Sequence, residues 1–416
     1  MERLERCRRW IGDSDLWTIV AAMAVALLMI LAATEAHAQT LTVLHSFTGG
    51  ADGGQPYAGL SMDRAANFYG TTTMGGAGYG TVYRLKRSGS GWIFTPLYAF
   101  QGGTDGSYPF GGVVSGPDGT LYGTAGGGPL GYGEVYNLRP PATICKAALC
   151  PWTKTTIYSF TANEGGPLLV NLTFDQSGNS YGTTSGGGVC PPACGEVFEL
   201  TRSNGAWSEA VLYSFGGVPD GSWPYSGVTF DSAGNLYGTT SAGGSNYAGA
   251  VFKLSPSGTG WTETIIHNID GTDGDEPYGG VTFDASGNLY GTTFVGGPQG
   301  GGTAFELTPS NGGWTFTLLQ GFNAYEGSYA TPTLDAQGNL YGTLSAYNFV
   351  GEVFKLTDSN GSWSYQHFHD FSGNDGYIPL GAVVFDANGN LYGTTYAGGG
   401  SGCGGEGCGA VYEITP

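Results

Sequence analysis

Apolar and polar side chains alternate through WTETIIHNI, from Trp261 to Ile269, with the period-two pattern of a half-buried β-strand. The turn cluster GTDGDEP follows, then YGGVTFD as a second strand, ASGN as a tight turn and LYGTTFV as a third strand. After the glycine-rich GGPQGGG, TAFELT reads as a fourth strand, and PSNGG returns the chain to Trp314, where the pattern restarts. A four-stranded antiparallel unit of this kind cannot cover both of its own faces, so neighbouring units must cover them.

The same unit recurs along the chain. Tyr-Gly-Thr stands at Tyr69, Tyr122, Tyr181, Tyr237, Tyr290, Tyr341 and Tyr392, at intervals of 53, 59, 56, 53, 51 and 51 residues. A period near 50 marks a stacked-repeat architecture. The expected fold is all-β: a seven-bladed β-propeller of four-stranded antiparallel blades, 28 strands in total. LTVLHSF, from Leu41, matches the strand that opens the other units (LYAF, IYSF, LYSF), whereas the chain ends on GAVYEITP without a copy of it. The count closes if the N-terminal strand completes the last blade, which also removes an exposed edge.

Within DASGNLYGTT, Asp284 to Thr293, the Gly and Asn are expected to take the positive-φ turn positions. Leu289 and Gly291 then face one side of the strand, Tyr290 and Thr292 the other. The glycine would let adjacent blades approach while the tyrosine fills the gap. The repeated Trp92, Trp152, Trp207, Trp261, Trp314 and Trp363 read as blade packing.

The N-terminus follows different rules. Arg3, Arg6, Arg8 and Arg9 precede an apolar run from Leu16 to Ala33, and Ala36-His37-Ala38 forms a small-residue exit. Residues 1–38 therefore read as a secretory signal peptide, leaving 39–416 as a single propeller domain. The alternative is a retained anchor, since the run just reaches spanning length. Secretion or cell-surface display is the expected localisation.

The 78 glycines show no three-residue period, which excludes collagen, and a 40% hydrophobic content excludes disorder. A formal net charge of −19 opposes binding to phosphate backbones, so nucleic acid is not an expected partner. A monomer is expected. Beyond Cys7 the cysteines fall in sequence-local pairs: Cys145 and Cys150, Cys190 and Cys194, Cys403 and Cys408. In an exported protein these suggest local disulfides. A zinc site is the alternative, without Cys-x-x-Cys spacing or a nearby histidine in its favour.

GNLYGTTSAGGSNYAGAVFKL from Gly234 and GNLYGTTYAGGGSGCGGEGCGAVYEI from Gly389 resemble the Gloeobacter–Verrucomicrobia (GloVer) tandem repeat. The resemblance covers all units. It is weakest in the first (ANFYGTT) and second, where Thr120 replaces Asn and Gly116 the strand-end Asp. It implies export and a surface location, often with a C-terminal sorting anchor; the chain ends at Pro416 without one. No activity comes with it. The layout is also similar to kelch repeats.

An acidic residue next to glycine follows each Trp-led strand: Asp52, Asp105, Glu164, Asp220, Asp273, Glu326 and Asp375. As a ring at the channel mouth these could hold a cation such as Ca²⁺, or a polar ligand. In the simpler reading each carboxylate accepts a backbone N–H of its own turn. Aromatics share these loops: Tyr57, Tyr108, Phe110, Trp223, Tyr225, Tyr278, Tyr329 and Tyr377. Rings beside polar groups suit sugars. Tyr57, Phe110, Tyr225 and Tyr278 each follow a proline and read as core, leaving Trp223 as the ring to test. His45, His267 and His369 hold equivalent strand positions, and no Gly-x-Ser-x-Gly or His-Glu-x-x-His occurs. The expected function is a non-enzymatic binding scaffold for a glycan, cation or surface protein. The alternative is a polysaccharide-active hydrolase or lyase at the channel mouth.

Overall fold

The computed structural model describes residues 39–141, 152–166, 170–188, 190, 194–346 and 351–416. The expected signal peptide, residues 1–38, and the Cys145–Cys150 pair lie outside them. No helix among the described residues is long and apolar enough to cross a membrane.

Seven antiparallel blades form a propeller. In the first six, strand order follows the chain from an inner two-residue strand to a long outer one. Blade 5, for example, runs Thr282–Phe283, Leu289–Thr292, Gly300–Ser310 and Gly313–Asn323. Thr40–Ser46 pairs with Ala410–Thr415 and completes the blade that contains Leu391–Thr395 and Val384–Phe385. The ring is closed as expected. It adds short pairings at the loops, such as Gly221–Ser222 with Ala242–Gly243. Loops entering each inner strand therefore share one face, the upper face, with the loops between second and third strands.

Each letter of Tyr-Gly-Thr has a separate task. The tyrosine packs across the seam: Tyr237 meets Phe283 of the next blade edge-on at 5.1 Å, with Trp314 at 6.0 Å. The tryptophans pack as expected, Trp207 against Tyr122, Trp363 against Tyr290 and Trp92 against Tyr392. The threonine bonds the next blade. Thr239 Oγ1 donates to the Gly279 carbonyl at 2.8 Å and Thr292 to that of Ala330 at 2.9 Å. Thr394 donates to Ala58 at 2.9 Å across the ring closure. These threonines are fully buried, so each bond satisfies a hydroxyl that would otherwise be costly to desolvate.

The glycine works inside its own blade, contrary to the expectation of blade-to-blade approach. Gly291 stands opposite Phe305 and Gly238 opposite Phe252, and the tip of each aromatic ring takes the space a Cβ on the glycine would need. Tyr83, Tyr136 and Tyr412 play this part over Gly70, Gly123 and Gly393. Apolar burial is thus distributed over seams between blades. One seam joins Tyr237 and Val251 to Val281, Leu289, Phe305 and Leu307.

The turn also differs from expectation. Gly287 takes positive φ (+87°), but the following Asn288 does not. Asn288 instead donates its side-chain amide to Asp284 Oδ2 at 2.9 Å. Asp284 Oδ1 receives the N–H groups of Ser286 and Asn288, and the Tyr290 hydroxyl closes the network at 3.3 Å. Equivalent networks surround Asp63, Asp175, Asp231 and Asp386. In the second blade Asp118 substitutes. It accepts from the Thr120 amide at 3.1 Å, the Thr120 hydroxyl at 2.7 Å and the Tyr122 hydroxyl at 3.1 Å.

Candidate functional site: the aromatic channel mouth

The inner strands surround a central cavity of about 370 Å³, opening toward the upper face and lined by residues of every blade. Tyr57, Phe110, Tyr225, Tyr278 and Tyr329 provide its rings, with Leu380 in the corresponding place of the last blade. Tyr278 stacks on Tyr329 at 5.1 Å and meets Tyr225 at 5.4 Å; Tyr57 meets Phe110 edge-on at 5.4 Å. Phe294 and Tyr396, from the adjoining loops, extend the arc against Tyr329 and Tyr57. These rings are half-buried. The proline-following aromatics thus line the channel rather than the blade cores, as their sequence position had suggested. The prolines before them pack across the seam, Pro277 over Gly249 of the preceding blade and Pro224 over Gly195.

Just before that proline, five blades hold a non-glycine residue in left-handed conformation: Gln55, Tyr108, Trp223, Glu276 and Ile378, with φ of 56°, 49°, 58°, 52° and 59°. Such φ values are rare outside glycine, and for β-branched Ile378 they are strained. Backbone bonds at the seam impose them. The Trp223 N–H donates to Cys194 O of the previous blade at 2.8 Å, while its carbonyl accepts from Ser241 of its own. Gln55 bonds Cys408, Tyr108 bonds Tyr79 and Glu276 bonds Ala248 in the same way. With N–H and C=O committed, the side chain is the part left to vary, and it does vary between blades.

A second cavity of about 710 Å³ opens beside the first, sharing Tyr57, Tyr329 and Leu380 and adding Phe294, Tyr325, Glu326, Ile378 and Tyr396.

The loop acids stand further out. Asp52 accepts the Thr48 N–H at 3.0 Å, Asp105 that of Gln101 at 2.8 Å and Glu164 that of Thr161 at 3.0 Å. Asp220 accepts from the Gly216 amide at 2.7 Å, Asp273 from Asp270 at 2.9 Å and Asp375 from Ser372 at 2.8 Å. Their other partner lies on the outer strand. His45, His267 and His369 face Asp52, Asp273 and Asp375 at 3.1, 2.6 and 2.9 Å. Tyr98 and Tyr213 donate to Asp105 and Asp220 at 2.6 and 3.0 Å. The dispersed histidines thus have a common purpose as partners of their own loop's acid. Burial lowers the His45 pKa against the pull of Asp52. Burial pushes the Asp375 carboxyl up, but the Ser372 amide, His369 and the Ser372 hydroxyl together hold it below the usual range. Of the seven acids proposed from sequence, Glu326 is the one that lines either of these two cavities, and it follows the outer-strand Gln320 rather than a His or Tyr. Trp223 is 44% exposed on the upper rim.

Three more carboxylates escaped the sequence reading: Glu209, Glu263 and Glu352. Burial holds each up to about 7, aided by Glu164 and Glu196 for Glu209 and by Asp220 for Glu263. Glu352 bonds both Tyr365 and His367, and His367 Nδ1 stands 3.5 Å from Asp370. Lys154 and Glu134 form a sealed ion pair at 2.6 Å in the second blade. Disulfides join Cys190 to Cys194 and Cys403 to Cys408, with Cα separations of 5.7 and 5.3 Å.

With this geometry in hand, the repeat can be placed. A family model described as the Gloeobacter/Verrucomicrobia repeat matches residues 30–190, 142–264 and 259–416. The chain belongs to that family. No curated protein sequence matches it. Among solved structures, GloVer-repeat blades overlay on a polysaccharide lyase of family PL25, an ulvan lyase bound to -[GlcA(1-4)Rha3S]-. The TM-score is 0.53 at 10% identity, covering 89% of this chain and 95% of that one. The polysaccharide lyase Uly1 is similar at TM-score 0.50 and 11% identity, with 86% and 89% covered. A putative 6-phosphogluconolactonase from Bacteroides uniformis gives 0.50 at 14% identity, with 75% and 84% covered. At such identities the likeness is one of fold.

Proposed function

We propose that this GloVer-repeat propeller is an exported protein that binds a glycan at its channel mouth without turning it over. The observation that carries the reading is the arc of Tyr57, Phe110, Tyr225, Tyr278 and Tyr329 around an open cavity. Amphipathic rings stack against the C–H faces of pyranoses, and nearby polar groups select hydroxyls. Asn171, Ser226 and Thr331 supply side-chain polar groups on the same wall. Acid–base chemistry needs a titratable group within bonding distance of the reacting atoms. In the lining of this cavity the titratable side chains are Tyr57, Tyr225, Tyr278 and Tyr329. The localised disulfides are compatible with an oxidising compartment.

A glycan array on the purified protein tests the reading. Binding to a glycan class should be weakened about fivefold or more by Tyr278→Ala, since a stacked ring contributes on the order of 1 kcal/mol or more. Unaltered binding in that variant would place the site elsewhere.

The second reading is a polysaccharide-active enzyme. It is supported by the fold shared with polysaccharide lyases and by the meeting of Glu352, His367 and Tyr365 on the outer strands of one blade. A depolymerisation screen that follows chain shortening, repeated with His367→Ala, separates it from pure binding.

A further inference from the structure

Exposed lysine and arginine side chains are confined to one face of the ring among the described residues, although acids occupy both. Arg84, Lys253 and Lys355 stand opposite Tyr69, Tyr237 and Tyr341, whose hydroxyls point to the lower-face turns. Lys86 and Arg87, like Arg139 and Arg202, lie at or beside the lower hairpins between third and fourth strands. Arg64 is in a lower turn. The remaining described cation, Lys154, is 5% exposed and sealed against Glu134. His45, His267 and His369 on the upper side are each bonded to their loop acid. The upper loops, by contrast, carry Asp270, Asp273, Asp275, Glu276, Glu326 and Glu406 with no exposed lysine or arginine among the described residues.

Two of these acids adjoin the aromatic arc. Glu276 Oε2 accepts the Tyr278 hydroxyl at 3.1 Å, and Glu326 lines the cavity that shares Tyr57 and Tyr329. Glu276 is also one of the five left-handed residues that precede a proline at the entry to an inner strand. Aromatic faces and carboxylates together attract ammonium groups through ring quadrupole and charge, and both repel carboxylate or sulfate.

Resting on the glycan-binding reading above, we infer that the ligand is an amino-sugar polymer, its ammonium groups held between the arc and Glu276 and Glu326. Uronate and sulfated glycans are rejected by the acidic rim. The fold likeness to an ulvan lyase therefore does not extend to ligand charge.

Titration with three hexasaccharides of one length tests this: chitosan, its fully N-acetylated counterpart, and oligogalacturonate, at a mildly acidic pH that keeps the amines charged. Chitosan should bind about tenfold tighter than the acetylated form at low salt, and the gap should shrink at high salt. The Glu276→Gln/Glu326→Gln pair should narrow the gap to within about twofold, and a gap of wild-type size in the folded pair overturns the assignment to these carboxylates. Equal affinity for the two forms, or a preference for oligogalacturonate, overturns the inference while leaving glycan binding intact. Absence of binding to all three, with no hit on the array, overturns both. The wild-type comparison needs no variant, so misfolding of the double mutant cannot decide the matter.

Discussion

Gly291 lies directly across the strand ladder from Phe305, and a methyl group added to the glycine would sit 2.4 Å from the ring's Cζ. The repeat's glycine and its third-strand aromatic are therefore one packing device written about fourteen positions apart in the chain. Gly291→Ala should destabilise by about 1–3 kcal/mol, the usual cost of overpacking. Combining it with Phe305→Leu should recover part of that loss, a coupling read by a double-mutant cycle in denaturant melts. Additive losses would show that the two do not share the space.

Asp118 occupies a different place in its repeat from the other turn aspartates, yet it holds the same tyrosine. Asp118→Ala and Asp284→Ala should cost similar amounts, about 1–3 kcal/mol each, as a charged acceptor is withdrawn from several donors. A neutral Asp118→Ala would mean that the substitution in the second blade is not a functional replacement.

The first strand completes the last blade, so deleting Thr40 to Thr48 exposes the Ala410–Thr415 edge and uncovers Phe47's seam with Tyr83 and Cys408. The melting temperature should fall sharply. A deletion that melts like the full chain would mean that the blade stands without its outer strand.

Glu209, Glu263 and Glu352 titrate near 7 when folded, against an ordinary carboxyl value of 4.5. The folded state therefore binds more protons than the unfolded chain between those two values. Their contribution is fully present below about pH 4.5 and is lost as pH rises through about 7. Asp63, Asp231, Asp375 and Asp386 act oppositely: held below 3.8, they withdraw support as pH falls through that region. Melting temperature should peak at mildly acidic pH. Glu209→Gln with Glu263→Gln should flatten the decline toward neutrality; an unchanged slope would assign it to other groups.

The upper-face acids from Asp52 to Asp375 already accept turn amides and strand His or Tyr donors, except Glu326. Ca²⁺ should accordingly leave the melting temperature unshifted at millimolar concentration. A rise of several degrees, lost in Asp273→Asn, would reinstate a cation role for the ring.

The repeat spacing, the strand alternation and the unmatched first strand were enough to establish blade number and ring closure, because these depend on local periodicity and on counting edges. The threonine and tyrosine of Tyr-Gly-Thr were legible only as a repeated face. Their partners, such as Ala330 for Thr292 and Trp363 for Tyr290, belong to the next unit and appear only once blades are stacked.

The candidate site was less visible. A proline followed by an aromatic reads equally well as a core strand entry, and nothing in Pro277-Tyr278 says which way the ring turns. The inner strands converge on the axis, so there the ring has no neighbouring sheet to pack against and faces a cavity instead. Conversely, the loop acids read as turn acceptors or as a ligand ring while each unit was taken alone. What assigned their oxygens to His45, Tyr98 and their equivalents was the return of the outer strand's end beside its own loop. Alternation along the chain dictated which side chains share a blade face. Convergence of seven such faces on one axis, a property of the assembled ring, decided which of them meet a ligand-sized space.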